Sequence, residues 1–324
     1  MFSNFKMSKL ILILVLVCVV SFTIGGTILL RDVKNPFTGV NTSTNNIDDE
    51  QDAGSIDSVN EITVDTSSMN INIIKTNDAN VKAHLTGRIQ ALNNPELPKL
   101  IVSKDGNSID IRVDSRNSMV FVGYYDVKLD VYLPSKYQKS LSLKASSGNI
   151  NIDGYSLENF TASASSGNIN TNNIECESYN IDLTSGNITG SNLKGKGRAK
   201  TSSGNITLDK IEGSDINFIA TSGSIKANIV SGNIKADSSS GNINIAYEKF
   251  DNNVELKASS GNCTLKLPGN AEFALRASAS SGDVKCDFPV TVTGSQKEHS
   301  LEGTVRNSKN SIRINTSSGN IKIY

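Results

Sequence analysis

Residues 144–188 read KASSGNINIDGYSLENFTASASSGNINTNNIECESYNIDLTSGNI, in which the phrase Ser-Gly-Asn-Ile returns every 19 residues. Followed outward, its glycine recurs at Gly148, Gly167, Gly186, Gly204, Gly223, Gly241, Gly261, Gly282 and Gly319, at intervals of 19, 19, 18, 19, 18, 20, 21 and 37. An extra copy at Gly232 halves one interval. The last interval is nearly doubled, which predicts an elaborated coil between Pro289 and Ser311. Self-similarity at a fixed short period is the signature of a solenoid, whose units bury their apolar sides only by stacking on one another.

The grammar inside the period is that of β-strands. Positions seven, five and three before the glycine are apolar or small, as in Leu141, Leu143 and Ala145 or Tyr179, Ile181 and Leu183. Positions two and four after it are apolar again, as in Ile150 and Ile152, Ile206 and Leu208, or Cys263 and Leu265. Each side alternates with period two, but the parity changes across the glycine, so the chain must bend there to keep both apolar sets inside. Glycine permits the bend because it reaches positive φ without a Cβ penalty. One coil is therefore strand, corner, strand and connector, and nine such coils at about 4.8 Å each make a rod on the order of 40 Å. Ala145, Ala164, Ala199 and Ala220 suit a thin interior. Stacked corners align Asn149, Asn168, Asn187, Asn205, Asn233, Asn242, Asn262 and Asn320 into a structural ladder, with Asp283 taking the slot once. The expected fold class is all-β: a single-stack β-solenoid of about 19-residue repeats behind one transmembrane helix.

The regions before the array divide by composition. Residues 1–9 form a short cytoplasmic end, and residues 10–30 (LILILVLVCVVSFTIGGTILL) are uncharged, long enough as a helix to span a bilayer. A cleaved signal peptide has a shorter apolar region and an A-x-A-like site, which this run lacks. Lys6 and Lys9 before the helix are matched by Arg31 and Lys34 after it, so charge bias nearly ties. The orientation with the N-terminus inside and the repeats extracytoplasmic follows from everything with fold-forming pattern lying after the helix. Residues 31–58, with the acidic run Asp48, Asp49, Glu50 and Asp52, read as a disordered polar stalk. Residues 59–140 read as an atypical β capping region. There Ile62, Val64 and Thr66, then Met69 in the glycine slot, then Ile71 and Ile73 form a loosened coil ahead of the array at 141–324.

Composition narrows the function. Lys plus Arg (32) equal Asp plus Glu (32), which removes the electrostatic attraction that nucleic-acid binding needs. Trp is absent and aromatics are 6%, leaving few stacking platforms for sugars or bases. Cys18 lies in the membrane run; Cys176, Cys263 and Cys286 show no metal-ligand spacing and read as buried thiols. His84 and His299 stand far apart, and Lys144, Asp182, Lys200, Asp237, Lys257 and Arg276 read as a solvated outer face. No catalytic, cofactor-binding or metal-binding residue is expected, and no enzyme.

The Ser-Ser-Gly-Asn-Ile array behind a single N-terminal membrane helix resembles the bacterial toast-rack family of candidate adhesins over residues 59–324, and is similar to its membrane-anchored LiaG-type members associated with cell-envelope stress operons. The resemblance implies a surface module and carries no catalytic motif. The expected function is a membrane-anchored extracytoplasmic module for adhesion or envelope binding. Its partners are the lipid bilayer through residues 10–30 and a cell-envelope polymer or surface protein. The alternatives are an accessory protein of an envelope-stress signalling system and, behind it, a glycan-acting enzyme.

Overall fold

A computed structural model describes residues 42–92, 96–115, 121–293 and 298–324. The described chain is all-β, one continuous 22-stranded sheet. Among the described residues no helix is long and apolar enough to cross a membrane, and the 10–30 run lies outside them. The first seven strands are β1 (Thr42–Ser55), β2 (Glu61–Thr66), β3 (Asn70–Thr76), β4 (Asn80–Leu92), β5 (Lys99–Asp105), β6 (Ser108–Asp114) and β7 (Phe121–Pro134). The middle is β8 (Ser140–Ser147), β9 (Ile150–Ser166), β10 (Ile169–Ser185), β11 (Ile188–Ser203), β12 (Ile206–Ser222) and β13 (Ile225–Ser240). Then follow β14 (Ile243–Tyr247), β15 (Val254–Ser260), β16 (Cys263–Lys266), β17 (Phe273–Ser281), β18 (Val284–Cys286), β19 (Thr291–Val292), β20 (Ser300–Val305), β21 (Ser311–Ser318) and β22 (Ile321–Ile323).

From β9 to β13 each long strand lies parallel on the next, in register one repeat apart: Ile150 on Ile169, Ile169 on Ile188, Ile188 on Ile206, Ile206 on Ile225. This isoleucine row, continued by Ile71 at one end and by Ile243, Cys263 and Ile321 at the other, is fully buried. Burying each such side chain contributes about 1.5–3 kcal/mol. The segment expected as a connector is itself a third side of the coil. In β9 the alternation of buried and outward residues slips at Gly154 and again at Asn159, giving three inward sets: Ile150 and Ile152, Tyr155 and Leu157, then Phe160, Ala162 and Ala164. The corner opening this third side is left-handed in the coils of β9 to β12, at Gly154 (φ 81), Asn173 (φ 53), Asn192 (φ 53) and Lys210 (φ 53). After β13 the third side is replaced by loops at 248–253 and 267–272, and edge-to-face contacts linking Tyr247, Phe250, Phe273 and Phe288 occupy this end of the core.

The ends of the stack depart from chain order. The coil of β2 and β3 lies between β8 and β9 on one side and β6 and β7 on the other. Likewise the coil of β21 and β22 is inserted between β15 and β16, which precede it, and β17 and β18, which also precede it. The region between Pro289 and Ser311 holds β19 and β20, an antiparallel pair that turns the chain back along β17.

The stalk assignment for residues 31–58 is corrected over Thr42–Ser55. This segment is β1, antiparallel to β4, with Ile47 and Ala53 buried and the acidic residues on the strand. An edge strand has only one partner and buries few side chains, so a polar, charged segment suffices, and charge there discourages edge-to-edge pairing.

Candidate functional site

The repeating polar positions are fixed by the corners. At Gly204 φ is 144°, and a Cβ added there would lie 1.8 Å from the carbonyl oxygen of Gly186 in the coil below. The same close approach links the whole series, from Gly148 on Met69 to Gly319 on Gly261 and Gly282 on Gly319. Thus Gly319, which follows Gly282 in sequence, sits beneath it in the stack. Gly232 does not belong to this corner: it stacks on Gly213, which stacks on Gly195, at another turn of the coil.

The corner asparagines form a ladder of side chain to backbone. Asn149 N–H donates to Asn70 Oδ1 at 2.8 Å, Asn168 to Asn149 at 2.8 Å, Asn187 to Asn168 at 3.0 Å and Asn205 to Asn187 at 3.0 Å. Ser224 interrupts it, donating to Asn205 and accepting from Asn242 through its hydroxyl; Asn262, Asn320 and Asp283 complete the run. Asn233 lies apart, in a second ladder where its Oδ1 accepts from Asn253 N–H at 2.8 Å and Asn253 Oδ1 accepts from Ser311 N–H at 2.9 Å. A third chain runs outward of the isoleucine row: Asn170 donates to Asn151, Asn151 to Asn72 and Asn72 to the carboxylate of Asp130, which also takes Lys128 at 2.7 Å. Hydrogen bonds polarised in one direction reinforce one another, and a carboxylate that only accepts is a fitting terminus.

No group of three or more His, Cys, Asp or Glu side chains converges as a metal site among the described residues. His84 on β4 pairs with Asp48 on the edge strand β1 at 2.7 Å, and His299 Nδ1 donates to Gly282 O at 2.8 Å. Burial pushes the thiols of Cys176 and Cys263 up to about 12, so both are neutral and unreactive at physiological pH. Cys286 is partly buried, and none of the three is in a disulfide.

A groove of about 780 Å³ crosses β12, β13, β15, β21, β17 and β20 along the stacking direction, with Thr293 beside β19 in its lining. One row of its lining is Asn217, Lys235, Glu255, Arg313, Arg276 and Glu302, each in register with the next. Arg276 pairs with Glu302 at 2.6 Å, and Glu255 pairs with Lys257. The hydrogen bond from Lys257, aided by the charges of Lys257, Lys235 and Arg313, holds the Glu255 carboxyl below its usual range. Among the expected outer-face residues, Arg276 falls in this groove, while Lys144, Asp182, Lys200, Asp237 and Lys257 form a neighbouring row. The groove row escaped sequence reading because it exists only once register is known and because Arg313 joins it out of chain order.

Three solved structures resemble the chain: a candidate cell adhesion protein from Clostridium sporogenes (12% identity, 86% of this chain and 99% of that one, TM-score 0.23), a candidate adhesin from Bacteroides fragilis (13%, 87% and 98%, 0.38) and one from Parabacteroides distasonis (14%, 88% and 98%, 0.31). No curated protein matches. The family model described as Toastrack DUF4097 matches residues 59–324, the span that begins beside β2 and runs through β22. On that match the chain belongs to the Toastrack DUF4097 family.

Proposed function

We propose that this protein is a membrane-anchored, extracytoplasmic β-solenoid that works as a surface binding module of the adhesin type, without catalysis. The observation that supports it most is the register-locked stack, which repeats outward side chains at about 4.8 Å and holds them on paired strands. Such a surface suits recognition of an extended partner better than turnover of a small one, because many weak, regularly spaced contacts add along its length. The uncharged run at residues 10–30 supplies the anchor, and the fold beyond β1 supplies the exposed surface.

Protease treatment of intact cells tests the location. The expected outcome is digestion of the repeat region without lysis, and retention of the full chain in membranes after a high-salt wash. Removal of residues 1–34 should release it. Digestion only after lysis would discard the surface reading, and a truncated chain that still sediments with membranes would discard the single anchor.

A further inference from the structure

The outward rows obey a charge rule that fails at one end of the stack. Along the described ladders, charged side chains in register are of opposite sign: Asp65 lies between Arg112 and Lys144, Lys194 between Glu175 and Glu212, Asp182 beside Lys200, and Asp237 beside Lys257. Like charges directly opposite one another destabilise a sheet. Same-sign neighbours occur among these ladders only as Arg276 with Arg313 and Lys285 with Lys322, and both pairs join the outermost coil to the inserted one. The first pair lies in the groove. The Arg276–Arg313 cost, retained inside a concavity open to solutes, is one that an anionic ligand would offset.

We propose that the groove beside the β19–β20 pair binds a linear polymer carrying spaced oxyanions, phosphodiester or carboxylate, with Lys235 and Arg313 as its charged contacts. Six strands cross the groove, a length of about 24 Å, enough for several units of a polymer. Arg276 is engaged by Glu302 and Lys257 by Glu255, whereas Lys235 and Arg313 have no ion-pair partner within bonding distance among the described residues. Both flank Glu255, so three cations surround one carboxylate. Asn233 and Asn253 line the same groove; their Oδ1 atoms are used within the stack, which leaves the amide NH₂ groups as neutral donors. Asp215 at the β12 end is the acidic residue there, and it favours a polymer with hydroxyl donors between its anions. The envelope as the source of this polymer rests on the surface location proposed above; binding of purified polymer does not.

Full-length protein in detergent micelles should be titrated calorimetrically with poly(glycerol phosphate), polygalacturonate and neutral dextran. Binding to at least one anionic polymer, weakened by added salt, is expected, with none to dextran; which polymer binds identifies the anion. The double variant Lys235→Gln/Arg313→Gln should lose about tenfold or more in affinity. Its melting temperature should change little, because one like-charge contact is lost together with two register contacts to Glu255, which Lys257 still pairs. Lys322→Gln, in the other same-sign pair and outside the groove, should bind as the parent does. Equal binding of dextran, binding of neither anionic polymer, an unaffected double variant, or an equal loss in Lys322→Gln would each overturn the site. A chain that binds polymer yet stays protected from protease on intact cells would overturn the location and leave the groove standing.

Discussion

The middle of the stack and its two ends follow different rules. From β9 to β13 each strand rests on its sequence neighbour, so any coil there touches only the ones before and after it. At the ends, β2–β3 and β21–β22 are first and last in the array by sequence but interior in space, each covered by a coil from elsewhere in the chain. A repeat array on its own would end in an open apolar face and an unpaired edge. Intercalation moves the regular coils inward and leaves irregular, partly antiparallel strands at the boundary.

The difference is most sharply tested by removing residues 311–324. In a purely consecutive stack this would trim one interface. Here it takes buried Ile312, Ile314, Ile321 and Ile323 from between two coils, a loss of about 6–12 kcal/mol by side-chain burial. The expected result is proteolysis throughout β15–β20 with β9–β12 still protected, read by limited digestion and mass spectrometry. A shortened chain with only its last strands lost would show that the inserted coil is dispensable.

In the middle, Gly204→Val combines a left-handed backbone with the 1.8 Å approach to Gly186 and should cost about 2–6 kcal/mol. Gly54→Ala is the control: its φ is 85°, but nothing lies within 4 Å, so only the backbone penalty of about 1–2 kcal/mol remains. Thermal unfolding should rank them in that order. Equal shifts would mean that stacking distance does not limit the corner. Asn205→Ala removes the acceptor for Ser224 N–H, and since that site is exposed to water the loss should be about 0.5–1.5 kcal/mol.

How much of this was legible depended on whether a position kept its residue type from coil to coil. The Gly-Asn corner did, so its slots and the flanking strands could be read directly. The third side did not, because Gly154, Asn173, Asn192 and Lys210 share a conformation but not an identity. Asn233 carried the right residue and the wrong corner, since Ser-Gly-Asn at 231–233 repeats the phrase half a coil out of phase. The inserted coil was illegible for the opposite reason: Ser311–Ile323 matches the common grammar so well that nothing local says which coils it separates.

The smallest effect concerns the thiols. The folded values near 12 for Cys176 and Cys263 lie above the ordinary 9.0, so neutral thiols in the fold contribute stability in full below pH 9, and it drains as pH rises toward 12. Iodoacetamide at pH 8 should leave both unlabelled until denaturant is added. Ready labelling of Cys263 in the native protein would show that the inserted coil opens often, even though the middle does not.

The inserted coil also imposes an order in time. A chain made from its N-terminus produces β17 and β18 before β21 and β22, so the outermost layer exists before the layer that must lie beneath it. Growth by simple zippering therefore halts at β15–β16. Until Ser311–Ile323 is synthesised, β15–β16 offers an open strand edge to whatever matches its register, and a neighbouring molecule's copy of the same segment is a competitor for that place.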